Sequence, residues 1–303
     1  MTINKKLLLG VVALGLAAVS HVNAQTNTVA LGDILLGFYQ NIPGSPPTAG
    51  PNTYIYNLGK GSDWLNNTIT LVNIGNINHD LTTAFGAGWA TDTTLRMSVL
   101  GGFDQTGGSA NLDPARTIYF SKGITGSFNP RSTTAMTMSS TVRGTAANNI
   151  AANYLVGMNA EPLNGATDGG SAAPYKAAIV PTSHNNDLAQ YSVPTTTTYF
   201  GTSVDPNASL GTALGTSSSD GGYTVQAAVD LYRVLHTNVG ADLTAGLSAG
   251  NAIVGTGQYI GSFTLSSTGD VRMDAVPEPS TYALLGLAGV VFMAVLRRRG
   301  AQA

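Results

Sequence analysis

The chain has 303 residues, of which 14 are Lys or Arg and 16 are Asp or Glu, so its formal net charge is −2 at pH 7. It contains no cysteine, which excludes disulfides and cysteine metal sites, and only 10% of its residues are charged. Because there is no basic surplus, the composition argues against nucleic-acid binding, which requires a basic patch or stripe.

The N-terminus has the residue order of a secretory signal peptide. Lys5 and Lys6 form a positive region, an uncharged apolar run covers 7–19, and small or modest residues follow up to Ala24. This order predicts cleavage by a signal peptidase between Ala24 and Gln25. A first transmembrane helix is the alternative, but the run is shorter than the roughly 20 apolar residues that a span needs.

Residues 25–275 form the predicted exported body, which has nine Lys or Arg and fifteen Asp or Glu. Segments rich in Val, Ile, Thr, Tyr and Phe recur along it between Gly, Pro, Asn and Asp, as is typical of short strands. Residues 159–219, with five prolines, predict long surface loops instead. The clearest predicted strands are 28–39, 53–57, 68–74, 94–100, 117–121, 177–180, 223–229 and 259–265.

Helical signals in the body are few. Residues 78–85 carry apolar side chains four positions apart, and residues 146–158 form the best longer helical segment. Residues 227–236 fit a helix about as well as a strand. We therefore predict an all-β (β-rich) body, a sandwich or jelly-roll-like pair of sheets with one or two short helices.

Patterns for enzyme chemistry are incomplete. His79, His184 and His236 are the histidines of the predicted mature chain, and none has a second His or a Glu at metal-ligand spacing. Residues 246–250 match the Gly-x-Ser-x-Gly pattern, but no histidine follows Ser248 as a hydrolase of that type requires. We therefore predict no catalytic residue, no metal ligand and no cofactor.

Three alternatives remain open at this stage. Most of the 14 aspartates of the body lie beside residues that favour turns, yet two carboxylates close in space would suit a polysaccharide hydrolase or lyase. The same loop oxygens would suit calcium. Trp64 and Trp89 could stack on sugar rings, as in a carbohydrate-binding module, although packing in the core is the simpler role.

The C-terminal segment 276–303 has the residue order of a sorting tail. A short polar motif, 276–281, precedes an apolar run, 282–296, and an arginine stop, 297–299. Proline disfavours helix, so we expect the motif to lie outside the membrane, next to a single transmembrane helix whose arginines stay on the cytoplasmic side. The motif consists of Val276, Pro277, Glu278, Pro279, Ser280 and Thr281, and the stop consists of Arg297, Arg298 and Arg299.

This tail resembles that of the PEP-CTERM class of exported bacterial proteins. The resemblance implies that an exosortase-type membrane protease acts at the Pro-Glu-Pro motif and that the inner membrane holds the precursor only before processing. It implies a mature protein at the cell surface or outside the cell, associated with exopolysaccharide or biofilm. We therefore expect a non-enzymatic surface or extracellular-matrix protein. A carbohydrate-binding module is the alternative, and a polysaccharide hydrolase or lyase is a third possibility.

Overall fold

The computed structural model describes thirteen stretches of the chain, the last of which ends at residue 275. All eleven strands in these stretches belong to one antiparallel sheet. The predicted signal peptide and sorting tail lie outside them. The described residues are 27–43, 48–66, 72–104, 113–129, 133, 137–159, 161–162, 164, 166, 176–182, 208–216, 223–236 and 255–275.

Nine strands form the main path of the sheet, in the order β3-β11-β10-β9-β5-β4-β1-β2-β6, and the short strands β7 and β8 pair with β4 and β9. The strands are β1 (Asp33–Ile42), β2 (Thr48–Lys60), β3 (Val72–Asn76), β4 (Leu95–Gly102), β5 (Ile118–Gly123), β6 (Ala177–Pro181), β7 (Ala208–Ser209), β8 (Gly215–Thr216), β9 (Thr224–Val234), β10 (Gln258–Ser266) and β11 (Asp270–Ala275).

Helices are short, with one exception. The first two are α1 (Gly61–Asn66) and α2 (Asn78–Phe85), followed by a single 3₁₀ turn (Trp89–Thr91). The exception is α3 (Ser140–Asn148), which continues through a π-helical stretch (Asn149–Leu155) to a last turn (Val156–Met158). We call the whole of 140–158 the long helix. Within the described stretches, no helix is long and apolar enough to cross a bilayer.

Both faces of the sheet bury apolar side chains. Alternate residues of many of the strands enter a first core, which also holds Leu81 of α2 and Trp89. Intervening residues of β1, β2, β4, β5, β6 and β9 enter a second core, where the long helix packs on the sheet through Ile150, Tyr154 and Met158. A strand covered on both faces reads as a continuous apolar run, and β1 is buried without interruption from Asp33 to Tyr39.

The structure confirms the β-rich body and corrects its architecture. Each of the eight predicted strands overlaps an observed strand, residues 78–85 are a helix as predicted, and the ambiguous segment 227–236 lies largely in β9. A separate second sheet is not seen among the described strands, which all hydrogen-bond into one antiparallel sheet. The second layer over one face is the long helix, which starts six residues before the predicted 146.

Candidate functional site

The sorting motif follows directly on a strand of the sheet. β11 lies between β10 and β3, with Ala275 opposite Gly261 and Met273 opposite both Phe263 and Val72. Val271 and Met273 are fully buried in the first core, which holds the strand in place. Since β11 ends at Ala275, the motif that begins at Val276 has no spacer between it and the folded body.

The turn before β11 fixes the register of this strand. Gly269 has a φ of 89°, and a Cβ there would lie 2.6 Å from the backbone nitrogen of Asn78, so only glycine fits. The carboxylate of Asp270 accepts hydrogen bonds from Thr268 Oγ1 at 2.8 Å and from Asn76 Nδ2 at 3.1 Å. The bond from Thr268, with those from Asn76 and Ser266, lowers the pKa of Asp270. These bonds tie the start of β11 to β3.

Several predicted site residues lie outside the described stretches, as do His184 and Ser248. They belong to the signal cleavage position, the sorting motif and the arginine stop. These residues are Ala24, Gln25, Val276, Pro277, Glu278, Pro279, Ser280, Thr281, Arg297, Arg298 and Arg299.

The two described histidines lie on different elements and have different partners. His79 is on α2, largely exposed, with Nδ1 3.3 Å from Oδ1 of Asp80. Oδ2 of that buried aspartate accepts a 3.0 Å hydrogen bond from Tyr54. His236 follows β9, and its Nε2 lies 3.1 Å from Nη1 of Arg116. Within the described part of the chain, no three His, Asp or Glu residues are grouped so as to hold a metal ion.

The two tryptophans differ in exposure. Trp89 is 2% exposed and its Nε1 donates a 3.0 Å hydrogen bond to Oδ1 of Asn78, so its ring is part of the first core. Trp64, on α1, is half-buried and meets Phe263 edge-on with ring centroids 5.7 Å apart. A sugar ring therefore has access to part of Trp64 and not to Trp89.

The fully buried carboxylates serve the packing of the sheet. Oδ1 of Asp113 accepts hydrogen bonds from Tyr119 at 2.8 Å and from Nε of Arg233 at 3.2 Å. Burial and the carboxylate of Asp113 raise the pKa of Tyr119 well above its usual value. Asp230 accepts hydrogen bonds from Ser262 at 2.6 Å and from Thr133 at 2.7 Å. Side chains held this way stabilise the interior.

Sequence reasoning missed β11 and the buried partners just described. The alternation of Val271 and Met273 with charged residues is a strand signal, but the segment borders the sorting tail and resembles a linker. The contact between Asp113 and Arg233 joins residues 120 positions apart. No local pattern indicates such a pair.

A family model, the PEP-CTERM protein-sorting motif, matches residues 275–299. The match starts at the last residue of β11 and covers the predicted motif, the apolar run and the arginine stop, so the expected class of tail is confirmed. No curated protein and no solved structure matches the chain. The motif implies an exported protein that interacts with an exosortase-type processing system.

Proposed function

We propose that this protein is exported through its N-terminal signal peptide, held in the inner membrane by residues 282–296, and cut at the Pro-Glu-Pro motif. The body then reaches the cell surface or the extracellular space. The observation that carries this proposal is the match of the sorting motif to 275–299, directly after the last strand of the body.

The packing of the body supports release by cutting after β11. All described members of the two cores lie between Val29 and Met273. Removal of the tail therefore leaves this described set of core side chains complete. We expect the processed body to keep its fold, because apolar burial supplies most of the driving force for folding.

We further propose that the released body is a non-enzymatic component of the surface or matrix, in contact with exopolysaccharide. The large buried polar side chains, among them Asp113, Asp230 and Arg233, take part in hydrogen bonds within the sheet. The sequence of the body is rich in Thr, Ser and Asn and poor in charged residues. A body of this composition stays soluble through hydroxyls and amides.

A carbohydrate-binding role is the second candidate, and the exposed part of Trp64 favours it. Polysaccharide arrays probed with the protein from its native cells test it. Loss of a signal on Trp64→Ala, with the signal retained on Tyr56→Phe, would support the role. A reducing-sugar assay on the same polysaccharides separates binding from hydrolysis.

The main test is mass spectrometry of the protein from its native cells. We expect a mature N-terminus at Gln25 and a C-terminus at or near 276–281. The double variant Pro277→Ala/Pro279→Ala should keep its tail and accumulate in the membrane fraction. Pro181→Ala, a proline at an exposed strand end, is the matched control and should be processed normally. Recovery of intact 1–303 from the cytoplasm would refute the proposal.

A further inference from the structure

Three cationic or titratable side chains converge where β9 ends, each from a different element. His236 follows β9, Arg116 lies just before β5, and Arg143 is in the first turn of the long helix. Nη1 of Arg116 lies 3.1 Å from Nε2 of His236. A Cβ added at Gly144 would lie 3.8 Å from Nη1 of Arg116 and 3.9 Å from Cε1 of His236. The start of the helix therefore packs against the pair.

The backbone holds these elements together. Met138, just before the long helix, donates its N–H to the carbonyl of Gly255 at 2.7 Å, and Gly255 donates to the carbonyl of Leu235 at 3.0 Å. Arg116 has a φ of 63°, a left-handed conformation that is uncommon for a residue with a side chain. Its N–H donates to the carbonyl of Asp104 at 2.8 Å. The position of the guanidinium is thus set by the fold.

Arg143 is buried without an acidic partner. It is 7% exposed, and its Nη1 donates to the carbonyl of Met138. Its Nε has no hydrogen-bond partner among the described residues, and no described carboxylate forms an ion pair with Arg143 or Arg116. Burial lowers the pKa of Arg143. Buried charges in proteins are normally paired, because taking an ion out of water is costly.

His236 interacts with both of these arginines. Arg116 can only donate, so Nε2 of His236 accepts and its Nδ1 carries the proton. Nδ1 is buried with no partner among the described residues. Burial, together with the charges of Arg116 and Arg143, lowers the pKa of His236. The imidazole is therefore neutral near pH 7, and no carboxylate of the described stretches compensates the two guanidinium charges.

We propose that Arg116, Arg143 and His236 form a binding site for an oxyanion, that is, a carboxylate, phosphate or sulfate group. A guanidinium presents a planar fork of donors that matches such groups. The N-terminal end of the long helix adds a positive potential. Arg116 and His236 are half-buried, so an anion has access from solvent, whereas Arg143 closes the site from the protein side. This site is independent of the sorting tail.

Proton uptake accompanies binding at this site. The groups that face His236 are Arg116, from the turn before β5, and Arg143, from the long helix. An anion between them removes the repulsion that keeps the imidazole neutral, so the pKa of His236 rises on binding. Linkage then requires that the anion binds more tightly as the pH falls from the raised pKa of the bound form towards the lowered pKa of the free form. A site made of arginines alone would show no pH dependence of anion affinity in this range.

The test uses the full-length chain in detergent, with thermal unfolding followed at pH 5.5 and pH 8. Sodium sulfate, sodium phosphate and sodium glucuronate are titrated against sodium chloride at equal ionic strength. We expect a saturable rise of Tm, stronger at pH 5.5. Apparent affinity should fall about tenfold in Arg116→Gln, as loss of one charge-assisted hydrogen bond predicts. Comparison of sulfate and phosphate with glucuronate separates a free inorganic ion from a carboxylate carried by a sugar.

The control is Arg96→Gln. Arg96 donates to the carbonyl of Thr93 and to Ser209 at the opposite end of the sheet, and this variant should respond like the wild type. Sulfate stabilises many proteins without a site, so an equal, non-saturating rise in the wild type and Arg116→Gln would overturn the proposal. If Arg116→Gln does not fold, imidazole NMR of the wild type decides. The pKa of the resonance assigned by His236→Gln must rise on addition of sulfate, and an unchanged pKa refutes the site.

Discussion

Two buried arginines near the end of β9 have opposite surroundings. Arg233 is fully buried and its Nε donates to Asp113, a carboxylate of the same chain. Arg143 is also buried, yet no described carboxylate pairs with it. Among the described residues, the fold thus neutralises one arginine from within, and the other belongs to the proposed anion site. Arg233 should contribute to stability through its carboxylate partner, and Arg143 should not.

The largest expected effect comes from breaking the internal pair. Asp113→Asn leaves Arg233 as a buried cation without its carboxylate, and removal of one partner of a buried pair typically costs about 3–5 kcal/mol. Urea unfolding of the full-length chain should show this loss as a lower midpoint with an unchanged slope. Asp63→Asn, at an exposed position on α1, is the control and should change stability by less than about 0.5 kcal/mol. A change that small in Asp113→Asn would mean that the pair is not formed.

A smaller loss should follow removal of the second donor to the same carboxylate. Tyr119→Phe deletes the hydroxyl that donates to Oδ1 of Asp113 at 2.8 Å and keeps the ring in the first core. We expect a loss of roughly 1.5–3 kcal/mol, as for a hydrogen bond to a charged group. A double-mutant cycle with Asp113→Asn measures the coupling directly. Strictly additive losses would show that the two side chains do not interact.

The strands could be predicted from the sequence, but the residues and elements that pack against them could not. β1 and β9 are recognisable because long runs of β-branched, aromatic and aliphatic residues lie between turn residues. Such runs indicate that both faces of a strand are covered, but they do not say what covers them. We expected a second sheet to pack on the first, whereas the long helix packs on one of its faces.

The N-terminal part of that helix was missed for a local reason. Its first turns contain Thr141, Val142 and Gly144, which have low helix propensity. Packing of the helix on the sheet overrides this preference, so the helix begins at Ser140. The proposed anion site was not predictable at all, because Arg116 and His236 are 120 positions apart and meet only in the folded sheet. The sorting tail, by contrast, is a contiguous motif, so its class was predictable from the sequence, and a family model matches it at 275–299.

Replacement of Arg143 should not lower the stability of the protein, in contrast to the loss of the carboxylate that pairs with Arg233. Arg143→Met removes a buried charge and retains much of its apolar volume. In chloride buffer without other anions, we expect the stability to stay within about 1 kcal/mol of the wild type or to rise. Urea unfolding under the conditions used for Asp113→Asn makes the two values comparable. A loss as large as that of Asp113→Asn would show that Arg143 has a partner within the chain.

The smallest expected effect is the pH dependence that His236 imposes on stability. Its pKa in the folded protein is lowered by burial and by Arg116 and Arg143, whereas the unfolded chain has the ordinary value of about 6.5. Below that pH the unfolded chain binds a proton that the folded protein does not. Stability should therefore fall as the pH drops through 6.5, until the lowered folded pKa is reached.

The carboxylate of Asp270 affects stability in a different pH range. Its pKa is lowered from a usual value of 3.8, so the stability that it contributes is lost only below that pH. Urea midpoints at pH 7.5 and pH 5.5 in chloride isolate the histidine. His236→Gln should show a smaller decrease between these two values than the wild type, and added sulfate should reduce the wild-type decrease. Equal decreases in the wild type and in His236→Gln would mean that the two arginine charges do not lower the pKa of the imidazole. The contrast between Arg143 and Arg233 would then rest on the ion pair with Asp113 alone.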